Sequence, residues 1–222
     1  QIFELSNPGP ALTQLSGSQY TQTNYQPLIQ SWQMFTESLS DRLSQGGGDG
    51  GTVTASYDSS HGIQFAHADI PQVTQASDGG RGAAPAAHWG LWARGYGLSS
   101  TAPSTATSAS YSESGAGLIV GADNRISERI VAGVALNIST DKATVRDGGF
   151  TQPNAYQGSV YGQYQLDPNW YVNGIAGFGW QTYKTARVVT LLATSTDNGS
   201  FYGESYRLYG ESGYALHPAF AP

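Results

Sequence analysis

Serine, histidine and carboxylate side chains are the groups in this sequence that could do covalent or acid–base chemistry, and the serine spacing argues against a hydrolase. A nucleophile elbow needs Gly-x-Ser-x-Gly at a strand–turn–helix junction. Gly158-Ser159-Val160-Tyr161-Gly162 and Gly210-Glu211-Ser212-Gly213 both depart from that spacing, and both fall inside segments with strand alternation. We therefore predict that the chain is not an enzyme.

The histidines do not form a metal site at the level of sequence. His61, His67, His88 and His217 are scattered, and no two of them stand four residues apart, as two ligands on one helical face would. The chain has no cysteine, which excludes disulfides and thiolate ligands and suits a protein that crosses an oxidising periplasm. No cofactor is predicted.

Composition narrows the class of protein. Only 12% of the residues are charged, against roughly 25% in ordinary soluble domains. The net charge is −6 and the ten Lys and Arg residues do not cluster, so nucleic acid is not an expected partner. The longest apolar runs fall far short of the roughly 20 residues that a membrane-spanning helix needs.

Alternation of period two begins at His88 and predicts strands. The strand segments are 88–98, 112–125, 128–142, 154–167, 169–184 and 200–216. Each carries one apolar face. In the fifth segment Trp170 and Trp180 stand near the two ends of the apolar stretch, as the aromatic girdles of outer-membrane barrels do.

The connections between these strands alternate in length. Residues 124–127 and 167–168 make tight turns, whereas 99–111, 143–153 and 185–199 are longer, polar segments. Short turns on one side and long loops on the other are typical of an outer-membrane barrel. The sequence thus predicts an all-β fold, a transmembrane antiparallel up-and-down β-barrel of which six strands are present.

A helical segment precedes the strands. Apolar residues in 11–45 recur at spacings of three and four, as one helical face requires: Leu28, Trp32, Phe35, Leu39 and Leu43. Pro27 predicts a break or kink near residue 26, which would give two helices, 11–25 and 27–45.

Three regions follow from these patterns. Residues 1–45 form a linker and a helix that plugs the lumen, 46–87 form a Gly-rich connector with short strands near 52–57 and 63–66, and 88–222 form the barrel strands. The glycine-rich strand faces at 115, 117, 121 and 174–179 are expected to leave room for the helix.

Charged residues on the strands suggest how the helix is held. Arg207 and Glu211 stand four residues apart on one strand face, and an arginine facing lipid at mid-bilayer would cost roughly 2–4 kcal/mol. We expect Arg94 and Arg207 to face the lumen, toward Glu37 or Asp41 of the helix. Arg94, Arg207, Glu211, Glu37 and Asp41 are therefore the predicted lumen-lining and plug contacts.

Several short stretches resemble one family in their order along the chain. Ala11–Gly17 is similar to the start of the linker helix of classical (type V) autotransporters, and Asp41-Arg42-Leu43 to its end. Trp89–Gly97 and Gly117–Asp123 resemble the first two barrel strands of that family. Tyr206–Tyr214 resembles a strand from the middle of its barrel.

This resemblance implies a C-terminal translocator domain in the bacterial outer membrane. It implies a barrel of about twelve strands, a helix in the lumen and an N-terminal passenger domain carried to the cell surface. The implied partners are outer-membrane lipid, the passenger, the barrel-assembly machinery and periplasmic chaperones. Because six strands cannot close an ordinary membrane barrel, the sequence is expected to be a fragment.

Other functions stay open. An outer-membrane porin or enzyme barrel and a soluble structural or adhesive β-domain are the alternatives. Some autotransporters cut their own linker helix at an Asn, but Gln22-Thr23-Asn24-Tyr25 lacks the paired Asn of the self-cleaving type. Asn24 is therefore expected to be one of many polar groups that face the lumen.

Overall fold

The computed structural model describes residues 21–45, 52–56, 63–64, 89–104, 110–146, 148–190 and 194–214. Within these ranges the chain forms a helix followed by strands. The elements are α1 (Thr21–Ser44), β1 (Thr52–Ser56), β2 (Ile63–Gln64), β3 (Trp89–Ala102), β4 (Tyr111–Ser127), β5 (Ile130–Val145), β6 (Phe150–Asp167), β7 (Trp170–Thr190) and β8 (Thr194–Tyr214). In the described part of the chain no helix is both long and apolar enough to cross a membrane.

Strands β3 to β8 form a sheet in which each strand pairs antiparallel with the next along the chain. The predicted all-β, up-and-down arrangement of these six strands is confirmed. The other edge of β3 pairs with β1 in parallel and with β2 antiparallel. Since an unpaired strand edge is a template for further pairing, the connector covers part of this edge.

The predicted loops at one end of the sheet are corrected by the structure. β5 runs to Val145 and β6 begins at Phe150, so most of 143–153 is strand, and β7 and β8 similarly extend through most of 185–199. Their Thr and Val residues favour extended backbone, and this preference outweighs the polar composition that predicts loops. Gly148, with φ 94°, lies in the β5–β6 connection, in a conformation that glycine adopts without strain.

The helix is also continuous where a break was predicted. α1 runs from Thr21 to Ser44 with Pro27 inside it, so the division into two helices near residue 26 is wrong. Proline removes one backbone donor, but packing compensates, because Pro27 is fully buried and Thr23 and Ser31 on either side bond to the sheet. Residues 11–20 of the first predicted helix lie outside the described ranges.

The two faces of the sheet differ in chemistry. The inner face, defined here as the face that packs on α1, carries buried polar and aromatic residues, whereas large apolar side chains stand exposed on the outer face. One outer row crosses the sheet through paired residues: Leu91, Ala122, Val134, Val160, Ala176 and Leu208. An exposed apolar face of this extent is typical of a sheet that faces lipid.

The height of this apolar band fits a bilayer. Trp170 and Trp180, both exposed on the outer face of β7, bound the band. Their ten-residue separation is about 33 Å along a strand. At the usual tilt of about 40° this is about 25 Å of height, the thickness of an outer-membrane barrel's apolar belt.

Most inner-face glycines make room for neighbouring strands and not for the helix, which corrects part of the expectation. A Cβ on Gly117 or Gly121 would lie 2.3–2.4 Å from ring atoms of Tyr96 or Trp92 on β3, and one on Gly115 would overlap Asp141. On β7, a Cβ on Gly177 would overlap the Ser159 hydroxyl of β6 and would also lie 2.9 Å from the Trp32 ring of α1. Gly177 therefore leaves room for both a neighbouring strand and the helix, while the β4 glycines leave room for aromatic and acidic side chains.

Candidate helix–wall interface

The centre of the interface is apolar. Phe35 and Leu39 of α1 are completely buried, and Trp32 stacks on Phe35 with ring centroids 5.9 Å apart. They share one buried cluster with Ile119 of β4 and Ile175 of β7. The stripe of spacing three and four thus packs on the inner face of the sheet, which orients the rest of the helix.

A buried ion pair fixes the C-terminal end of α1. Arg42 donates from Nε and Nη2 to the two carboxylate oxygens of Asp123 on β4, at 2.7 and 2.9 Å. The side chains are 7% and 0% exposed. Tyr161 also donates to Asp123, and Trp92 donates to the Tyr161 hydroxyl. Three elements, α1, β4 and β6, therefore meet at one carboxylate, and β3 joins them through the Tyr161 hydroxyl.

A second ion pair lies nearby but is open to solvent. Arg94 of β3 donates to Asp41 at 2.8 Å, and the Asp41 side chain is 55% exposed. Arg94 thus lies on the inner face and contacts one of the two helix carboxylates proposed for it.

The middle of the helix meets a cluster of hydroxyl and amide groups. The Ser31 hydroxyl lies 3.2 Å from that of Ser139 and 3.3 Å from the side-chain oxygen of Gln157. Asn137 donates to Gln157 at 2.8 Å and is hydrogen-bonded to Tyr96. These five residues are buried, and they join α1 to β3, β5 and β6 without any formal charge.

The N-terminal end of α1 meets the sheet through hydroxyl and amide groups. The Thr23 and Thr151 hydroxyls lie 3.3 Å apart, and Thr151 donates to the side-chain oxygen of Asn24 at 3.1 Å. Asn24 therefore faces the sheet as a hydrogen-bond acceptor. Self-cleavage at Asn24 stays untested.

The remaining predicted residues lie on the β8 side of the helix. Glu37, Asp41 and Arg207 line one cavity of about 360 Å³ together with Gln33 and Tyr209.

Glu211 is held by hydroxyl groups on this side of the helix. It accepts hydrogen bonds from Tyr171, Tyr209 and the helix residue Ser40, at 2.9–3.1 Å.

Sequence reasoning missed the strongest contact. Arg42 stands three residues after Leu39 and so continues the apolar stripe, and Asp123 shares a strand face with Gly121 and Ile119. The sequence contains a signal for this pair, because one arginine falls on the apolar face of the helix and one aspartate falls on the inner face of β4. Pairing the strand arginines with the acidic helix residues Glu37 and Asp41 does not identify it.

This interface joins a helix to the inner face of a sheet. No group of three or more metal-ligating residues occurs in the described parts of the chain. The fold and the interface together define a class, an antiparallel up-and-down sheet with an apolar outer face and a helix on its inner face. The sequence model of the autotransporter β-domain family matches residues 91–220, which is more than half of the chain, and the chain belongs to this family. Comparison with curated proteins and with solved structures found no match.

Membership of this family indicates a location in the outer membrane and a translocator role. The family is one of translocators and not of enzymes, its setting is the bacterial outer membrane, and its β-domains belong to chains with an attached passenger.

Proposed function

We propose that this chain anchors an N-terminal passenger domain in the outer membrane and supports its secretion or display at the cell surface. This proposal rests on the direction in which α1 runs across the inner face of the sheet. Thr23 lies beside Thr151, next to the extended β5–β6 hairpin, and Arg42 lies beside Asp123, next to the tight β4–β5 turn. Helix α1 therefore begins at the end of the sheet with the long hairpins, which is the surface side of an outer-membrane barrel.

In this proposal the interface residues hold α1 inside the lumen. Arg42 and Asp123 fix one end of α1. The middle is fixed by the Ser31 cluster, which consists of Ser31, Tyr96, Asn137, Ser139 and Gln157. The remaining contacts involve Arg94, Arg207, Glu37, Asp41 and Glu211. Before insertion, the apolar rows on the outer face would make the protein prone to aggregation. This supports barrel-assembly machinery and periplasmic chaperones as partners.

The absence of native cysteine makes the proposal testable by labelling. Arg146→Cys marks the β5–β6 turn and Glu128→Cys marks the β4–β5 turn, and both positions are exposed. With a membrane-impermeant maleimide we expect Arg146→Cys to react in intact cells and Glu128→Cys to react only after the outer membrane is permeabilised. Equal reaction at both positions in intact cells would contradict the orientation.

Passenger display needs a separate readout. An epitope tag fused ahead of Gln1 is expected to be removed by protease added to intact cells. If Arg146→Cys reacts while the tag stays protected, the chain is an outer-membrane wall that does not export its N-terminal side, and the display function is wrong.

A further inference from the structure

A lysine pair stands on the outer face just beyond the apolar band. Lys142 of β5 and Lys184 of β7 are both exposed. Lys184 is paired with Gln152 of β6, and Lys142 lies between the β5–β6 pairs Thr140–Asn154 and Ala143–Thr151, so it is also level with Gln152. The two lysines therefore share one row with a single strand between them, about 10 Å apart across the sheet.

The row of these lysines lies at headgroup depth. Tyr156 and Trp180 are paired with each other in the aromatic row at this end of the band. Lys184 follows Trp180 by four residues, about 13 Å along the strand, or about 10 Å in height at a tilt of about 40°. Side chains at this height lie among lipid headgroups, where a lysine keeps its charge and its stem packs on apolar surface.

The surroundings favour an anion. Beyond the aromatic row, the described side chains of the outer face near the lysines are neutral: Ser114, Thr140, Thr144, Phe150, Gln152, Asn154, Thr182 and Ser200. Three carboxylates at this end, Glu113, Asp141 and Asp197, lie on the opposite strand face. Glu204 lies on the outer face but in the row of Trp180, four residues along β8 from Ser200, the partner of Lys184. The Lys142 ammonium lies 5.3 Å from the centre of the Phe150 ring, which supports its position without neutralising its charge.

We propose that Lys142 and Lys184 form a binding site for the phosphate groups of an outer-leaflet lipid headgroup. Each lysine supplies a point charge to a phosphate oxygen, Gln152 between them supplies amide hydrogen bonds, and the acyl chains lie on the apolar rows below. Two charges about 10 Å apart fit a headgroup that carries two phosphates better than one that carries a single phosphate. The assignment to the outer leaflet rests on the orientation in the proposed function.

The test uses the full chain refolded in dodecyl maltoside micelles. The micelles contain diphosphoryl lipid A, monophosphoryl lipid A or phosphatidylglycerol. Bound lipid is measured by native mass spectrometry. For Lys142→Gln/Lys184→Gln we expect the affinity for diphosphoryl lipid A to fall about 30-fold, since each lysine near a lipid surface contributes about one factor of five. Arg125→Gln/Arg129→Gln at the opposite end is the matched control, with an expected change below about two-fold.

Three results would overturn the site. They are an unchanged affinity in the lysine variant, an equal loss in the arginine control, and complete competition by 50 mM inorganic phosphate, which would indicate a site for free anions. Equal binding of the three lipids would overturn the preference for two phosphates. None of these readouts depends on which end faces the cell surface, so failure of the lysine site and failure of the labelling experiment are distinguishable.

Discussion

The two ends of α1 are held to the sheet by different chemistry. Near Ser44, Arg42 and Asp123 form a bidentate ion pair that is nearly inaccessible to solvent. Near Thr21, the hydroxyl of Thr151 contacts Thr23 and Asn24 without a formal charge. A buried charge left without its partner is far more costly than a missing neutral hydrogen bond. The helix is therefore anchored at the tight-turn end and held less strongly at the hairpin end.

Removing Asp123 tests this difference most severely. Asp123→Ala leaves the buried Arg42 guanidinium unpaired, and we expect the free energy of unfolding to fall by about 3–5 kcal/mol. Urea titration in detergent micelles, followed by tryptophan fluorescence, measures the change. Asp197→Ala removes the exposed partner of Arg187 and should cost far less. Equal costs would show that the buried pair does not anchor the helix.

The middle of the interface is tested by adding volume. Gly177→Ala places a methyl group against the Ser159 hydroxyl and 2.9 Å from the Trp32 ring, and we expect a loss of about 1–3 kcal/mol from overpacking. Gly174→Ala is the matched control on the same strand, because a Cβ there meets nothing within 4 Å. Protease resistance of α1 should fall in the first variant only. A neutral Gly177→Ala would mean that Trp32 moves freely and that the helix is not closely seated.

The neutral cluster should contribute less than the ion pair. Ser31→Ala removes one hydroxyl that contacts Ser139 and Gln157, and we expect a cost of about 0.5–1.5 kcal/mol in the same titration. Ser44→Ala, at an exposed position where the hydroxyl bonds only within the helix, provides the baseline. A loss as large as that of Asp123→Ala would contradict the contrast between charged and neutral contacts.

The smallest effect is expected at the exposed pair. Asp41→Asn removes the charge that Arg94 contacts, and because Asp41 is 55% exposed we expect a change of about 0–1 kcal/mol. The change should disappear in 0.5 M NaCl, since salt screens exposed charges. The cost of Asp123→Ala should persist there. A cost for Asp41→Asn that survives high salt would indicate that this pair is dry in the assembled protein.

The sheet could be predicted from sequence because lipid imposes a simple rule on each strand. Alternation of apolar and small or polar residues located all six strands, and the strand ends at the two tight turns agree to within two residues. The extent of the hairpins could not be predicted, because beyond the bilayer the same Thr, Val and Ser residues occur in strands and in loops. The continuity of α1 through Pro27 was likewise invisible, since it depends on contacts from distant strands.

The candidate interface was only partly predictable for a related reason. Alternation located Arg94 on the inner face, but helix phase alone did not identify its partner. Arg42 and Asp123 are neighbours only because the register of β4 and the seating of Phe35 and Leu39 bring them together. Pairing of that kind depends on three elements at once, and no local pattern in the sequence contains it.

The placement of the ion pair also has a mechanical consequence. Tension applied to the chain ahead of Thr21 acts first on the contacts of Thr151, then on the Ser31 cluster, and reaches Arg42 last. The bonds would break one after another, as in peeling, so that the strongest one is loaded only after most of α1 has left the wall. A force from outside could then loosen the helix by several turns and let it settle back, with the far end still tethered.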